Sequence, residues 1–90
     1  MITDEQWENE IPKKVFAIPG MRTDSDSDFM CDPVDEGVTT YFRFMSDCGA
    51  TDDHNGKVFS DYLKANGCAV EQHRARSMIV FDADIARLFL

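Results

Sequence analysis

The feature that most constrains the fold is an alternating segment at residues 38–45. One set of alternate positions holds Val38, Thr40, Phe42 and Phe44, and the other holds Thr39, Tyr41, Arg43 and Met45. Because successive side chains of a strand point to opposite faces, this pattern predicts a β-strand with one face in a core and a partly covered second face. A chain of 90 residues can build only one modest core, so residues 1–90 are expected to form a single domain.

Helical signals lie on both sides of this strand. Thr3 followed by Gln6 forms a capping box that predicts a helix starting at Asp4, and Pro12 is expected to end it near residue 11. After the strand, residues 47–56 supply turn and capping residues. The helical stripe of the second helix consists of Val58, Phe59, Tyr62 and Leu63. Asn66 and Gly67 give this helix a C-terminal signal.

The remaining segments complete a mixed fold. Residues 14–18 are predicted to be a short strand before Pro19 and Gly20, and residues 21–36 a long surface loop. Residues 68–73 and 78–81 are predicted strands, and Asp82 is expected to cap a terminal helix. The predicted class is α+β, with the order α-β-loop-β-α-β-β-α. We expect a mostly antiparallel sheet of three or four strands with helices on one face.

Charge is distributed unevenly along the chain. The formal net charge is −8, and residues 1–36 carry ten acids against three bases, whereas residues 37–90 carry seven against six. This excess disfavours direct binding to nucleic acid or to anionic membranes and favours a partner with a basic surface. No apolar run reaches the ~20 residues of a membrane span. Three cysteines without CxxC spacing indicate free thiols, so we expect a cytoplasmic protein.

The acidic excess is densest between residues 24 and 36. Its acids, which are the predicted partner-binding residues, are Asp24, Asp26, Asp28, Asp32, Asp35 and Glu36. In an extended chain, residues two apart project to the same side about 6.7 Å from one another, so the first three can form a line of negative charge. Such a line resembles the repeated phosphates of nucleic acid, and it can occupy a groove lined with Lys and Arg. The ordinary alternative is that these acids maintain solubility.

Other chemistry has weaker support in the sequence. The acids from Asp24 to Asp35 follow EF-hand spacing, but Phe29 stands where the calcium loop needs glycine. Cysteine and histidine residues show no close pairs of the kind that bind zinc. No glycine-rich phosphate loop or serine-centred elbow is present. We therefore expect no catalytic residue, no metal ligand set and no cofactor.

The leading hypothesis is a small, acidic, non-enzymatic binding or inhibitor protein that presents carboxylates to a basic partner. One form of this hypothesis is that the protein mimics nucleic acid and thereby blocks a nucleic-acid-binding protein. In size and acidity the chain resembles, in general character, phage-encoded inhibitors of host nucleases, restriction systems and CRISPR complexes. One alternative is a divalent-metal-binding loop domain. The other is a structural or assembly subunit that uses exposed apolar residues, with the candidates Trp7, Phe29, Met30, Leu88 and Phe89. The sequence leaves the oligomeric state open.

Overall fold

The computed structural model of the chain describes residues 1–23 and 27–90. A π-helical turn (Gln6–Glu10) leads directly into α1 (Ile11–Phe16), and the other helices are α2 (Gly49–Ala65) and α3 (Asp82–Phe89). The strands are β1 (Asp28–Asp35), β2 (Thr39–Met45), β3 (Val70–Arg74) and β4 (Ser77–Phe81). They form one antiparallel sheet in the order β1-β2-β4-β3. The predicted α+β class is confirmed.

All helices pack against the same face of the sheet, which we call the inner face. Phe42 of β2 is fully buried there, with its ring 5.3 Å from that of Phe59 on α2 and 5.8 Å from that of Trp7. The ring of Phe89 on α3 lies 5.9 Å from Phe59. The opposite, outer face carries Tyr41 together with the other alternate residues of β2. The predicted placement of helices on one face is confirmed.

The start of the chain agrees with the sequence only in part. The helix begins at Asp4 as predicted, and the capping box forms: Thr3 N donates to Gln6 Oε1 at 2.9 Å, and Gln6 N donates to Thr3 Oγ1 at 3.2 Å. The predicted strand at residues 14–18 is wrong, because helix α1 runs to Phe16. Pro12 is the second residue of α1, directly after the π-helical turn, and the helical segment continues through it to Phe16.

The predicted surface loop at residues 21–36 is also wrong over half of its length. Residues 28–35 form β1, an edge strand that pairs with β2 through Phe29 opposite Phe44 and Cys31 opposite Phe42. Phe29 is 9% exposed, so its burial on the inner face stabilises a strand that also carries Asp28, Asp32 and Asp35. The fourth strand of the sheet therefore comes from the acidic segment.

Helix α2 is longer than its apolar stripe predicted. It begins at Gly49, inside the segment predicted to be turn and cap, and it ends as expected at Asn66, with Gly67 in the left-handed region at φ 80°. The buried Asn55 side chain fixes the chain after α1 to this helix: Oδ1 accepts from Arg22 N at 2.8 Å, and Nδ2 donates to Arg22 O at 2.9 Å. Among the described residues, no helix has the length and hydropathy needed to cross a membrane.

Candidate functional site

The structure distributes the predicted partner-binding acids over two sides of the sheet. Asp28, at the start of β1, and Glu36, just beyond its end, line a groove beside the N-terminal helical segment. Asp32 lies opposite Tyr41 of β2 and therefore projects from the outer face, whereas Asp35 pairs with Thr39 at the exposed end of β1. Asp24 and Asp26 lie outside the described residues. The four acids that can be located thus do not form a single line of charge.

The groove lies between the N-terminal helical segment and β1 and encloses about 470 Å³. Every charged side chain among its described lining residues is an acid; the five are Asp4, Glu8, Asp28, Glu36 and Asp82. We call this region the acidic groove. Its remaining lining includes apolar side chains of Ile2, Trp7, Phe29 and Pro33. An apolar surface whose charged side chains are all carboxylates suits a ligand that is both cationic and partly apolar.

The helical wall of the acidic groove is positioned by the capping box and by Trp7. Residues four apart lie on the same side of a helix, so Asp4 and Glu8 project together. Trp7 packs between this wall and the core, with its ring tilted by 56° to that of Phe42. Helical dipole effects account for acids at a helix start, but they do not require these acids to face a groove.

The opposite wall joins β1 to the start of α3. Asp82 Oδ1 accepts a hydrogen bond from Thr40 Oγ1 at 2.7 Å, and Asp82 N donates to Val38 O at 2.8 Å. The expectation that Asp82 caps the terminal helix is wrong, because no side-chain cap forms there and Asp82 itself is the first residue of α3. Its carboxylate is held against β2 instead.

The thiol of Cys31 in the acidic groove lies in a strongly negative environment. Burial raises the pKa of Cys31 far above its ordinary value, and the nearby carboxylates of Asp28, Asp32 and Asp82 raise it further. A negative field disfavours a thiolate just as it favours a cation. Two of these carboxylates, Asp28 and Asp82, line the groove from distant parts of the chain and act on the same thiol.

Sequence reasoning missed this convergence. It assigned Asp82 to a helix cap, treated the three cysteines only as free thiols, and placed no acid of the first helix at a binding site. The one local signal is the alternation of Phe29, Cys31 and Pro33 within the acidic segment, which is typical of a strand with one buried face.

The structure does not support the alternative site chemistries. Asp28 and Asp35 are seven positions apart on the extended strand β1, which separates them by about 23 Å, so these two carboxylates cannot bind one ion together. Within residues 1–23 and 27–90, no three Asp, Glu, His or Cys side chains are grouped to hold a metal. His54 Nε2 lies 2.7 Å from Gly20 O rather than beside a thiol.

The apolar residues suggested for an assembly surface are largely in the core. Phe29 and Phe89 are 9% and 2% exposed, and Trp7 and Leu88 pack against the core cluster. The large apolar side chains that are exposed are different ones, namely Met1, Val34, Val38, Met45, Phe81 and Leu90. Of the five suggested residues, Phe29 and Phe89 are therefore in the core, whereas Trp7, Met30 and Leu88 are half-buried.

Comparison of the chain with protein-family models, with curated proteins and with solved structures gave no match.

Proposed function

We propose that this protein is a non-enzymatic binding protein that captures a basic segment of a partner protein in the acidic groove. The observation that carries the proposal is the composition of the groove, in which five carboxylates and no Lys or Arg among the described residues surround an apolar surface. A Lys or Arg side chain fits both parts, since its aliphatic stem packs on apolar surface and its charged end reaches a carboxylate.

Charge at the acidic groove supports affinity as well as selection of the partner. Two opposite unit charges 4 Å apart interact by about 1 kcal/mol in water, and by more where solvent is partly excluded. Acids outside the groove, including Asp32 and Asp35, extend the negative field and would attract a basic surface from a distance. Nucleic-acid-binding proteins display such basic surfaces, so blockade by mimicry of nucleic acid is the form of this function that we favour. The resemblance in size and acidity to phage-encoded inhibitors makes bacterial nucleases and CRISPR complexes suitable first candidates.

Trp7 provides a direct assay for the groove, because it lines the groove and is the only tryptophan in the chain. A short peptide of alternating Arg and Leu should change Trp7 fluorescence with a saturable dependence on concentration, and its affinity should fall steeply as salt rises. Replacement of Asp4→Asn with Glu8→Gln should weaken binding about tenfold or more, since each lost ion pair contributes about 1 kcal/mol.

The matched control neutralises two acids away from the groove, Asp47→Asn with Glu71→Gln. It changes the net charge by the same amount, so an equal loss of affinity in both variants would show that only overall charge matters and would overturn the groove as the binding site. The mimicry step is tested separately by capture from a bacterial lysate. A partner that DNA does not displace would contradict mimicry while leaving the groove intact.

A further inference from the structure

A second concave region lies at the end of the sheet, next to the turn between β3 and β4 and the first turns of α2. It encloses about 700 Å³ and is lined by Tyr41, Arg43, Asp53, Arg74, Arg76 and Ser77. We call it the arginine pocket. It shares no lining residue with the acidic groove and has the opposite charge, which is unexpected in a chain of net charge −8.

The strand register brings two arginines to either side of one residue. Ser77 of β4 pairs with Arg43 on β2 and with Arg74 on β3. The Cα atoms of the two arginines are therefore separated by two strand spacings, about 10 Å. Ser77 is only 2% exposed between them. Two long, flexible side chains anchored at this separation can bring both guanidinium groups to one ligand above Ser77.

The arginines differ in their ion pairs. Arg76 is neutralised within the protein, with Nε 2.9 Å from Asp53 Oδ1 and Nη1 3.5 Å from Asp52 Oδ2. Arg43 and Arg74 make no ion pair with any residue in the described ranges 1–23 and 27–90. The two arginines lie on strands separated by β4, and an anion bound between them would offset their mutual repulsion.

We propose that the arginine pocket binds a phosphate group through Arg43 and Arg74. The planar guanidinium fork matches phosphate oxygens in a bidentate manner, and a phosphate dianion balances two unpaired arginines where a carboxylate balances only one. Tyr41 adds an aromatic surface at the pocket, and its ring lies 6.0 Å from that of His73. The site lies apart from the acidic groove, so this inference does not depend on the proposed function.

The test is a titration followed by amide chemical shifts in ¹⁵N-labelled protein, with inorganic phosphate and phenyl phosphate as probes and sodium chloride at equal ionic strength as reference. We expect saturable shifts at Arg43, Arg74 and Ser77. Tighter binding of phenyl phosphate would identify a phosphate ester as the preferred source, because its ring can pack on Tyr41, whereas equal affinity would identify the free anion.

Two double variants decide the role of the arginines. Arg43→Gln with Arg74→Gln should weaken phosphate binding at least tenfold. Arg22→Gln with Lys64→Gln removes the same charge from elsewhere on the surface and should change it less than twofold. Shifts that remain linear with concentration, or equal losses in both variants, would overturn the site. Circular dichroism spectra of both variants establish that the fold is retained.

Discussion

Gly56 marks the closest approach of helix α2 to the sheet. A Cβ atom built at this position would lie 2.6 Å from Arg76 Cα and 2.9 Å from the carbonyl carbon of Ala75, and closer still to the carbonyl oxygen of Ala75. All three atoms belong to the backbone of the turn between β3 and β4. They cannot rotate away, so a side chain at Gly56 requires the helix and the turn to separate.

Gly56→Ala sets two effects against each other. Alanine in a helix interior is favoured over glycine by about 1 kcal/mol. Overpacking that moves backbone costs about 1–3 kcal/mol, and contacts below 3 Å belong at the upper end of that range. We therefore expect a net loss of about 1–2 kcal/mol, which corresponds to a fall in Tm of roughly 5–15 °C for a domain of this size.

Gly49→Ala is the matched control in the same helix. Its Cβ would lie 3.1 Å from Nη2 of Arg76, the far end of a flexible side chain that can move aside. We expect this variant to be as stable as the parent or slightly more stable. Thermal unfolding followed by circular dichroism at 222 nm measures both. If Gly56→Ala were as stable as Gly49→Ala, helix propensity would outweigh the contact and the reasoning would fail.

The thiols give two further predictions. A hydrogen bond from the Thr51 side chain lowers the pKa of the exposed Cys48, whereas burial raises the pKa values of Cys31 and Cys68. One equivalent of iodoacetamide at pH 7.5 should therefore label Cys48 first. Early labelling of Cys31 or Cys68, located by peptide mass mapping, would contradict this. Because the folded pKa of Cys31 lies above its unfolded value of about 9.0, its contribution to stability is constant below pH 9 and is lost as pH rises beyond it. Urea midpoints at pH 8 and pH 10 should therefore fall more for the parent than for Cys31→Ala, and equal falls would refute the assignment.

Local patterns predicted the elements whose stabilising contacts are close in sequence. The capping box of Thr3 and Gln6 and the C-terminal signal at Gly67 depend on neighbours within a few residues, and both form. Residues 14–18 were predicted to be a strand because their apolar side chains are consecutive. The spacing of four between Ile11 and Val15, both fully buried, is the helical signal that this interpretation overlooked.

Strand β1 was missed because its stability comes from β2 rather than from its own composition. Its acids suit a loop and outweighed the weak alternation of Phe29, Cys31 and Pro33. Pairing with Phe42 and Phe44 across the sheet places Phe29 and Cys31 on the core face. The acidic groove is harder still to predict. It joins Asp4, Asp28 and Asp82, and no periodicity in the sequence connects residues so far apart.

The position of β1 at the edge of the sheet has a consequence for association. An edge strand offers unpaired N–H and C=O groups to any other extended chain, and this can start aggregation. Here Pro33 lacks an N–H, the register of β1 with β2 shifts between Pro33 and Asp35, and the exposed carboxylates of Asp32 and Asp35 lie on the strand itself. The acids of β1 therefore discourage strand addition between copies, in addition to any partner that they attract. Substitution of the β1 acids would therefore promote self-association as well as weaken partner binding. Substitution of Asp4 and Glu8, which lie on the helix, tests partner binding without this second effect.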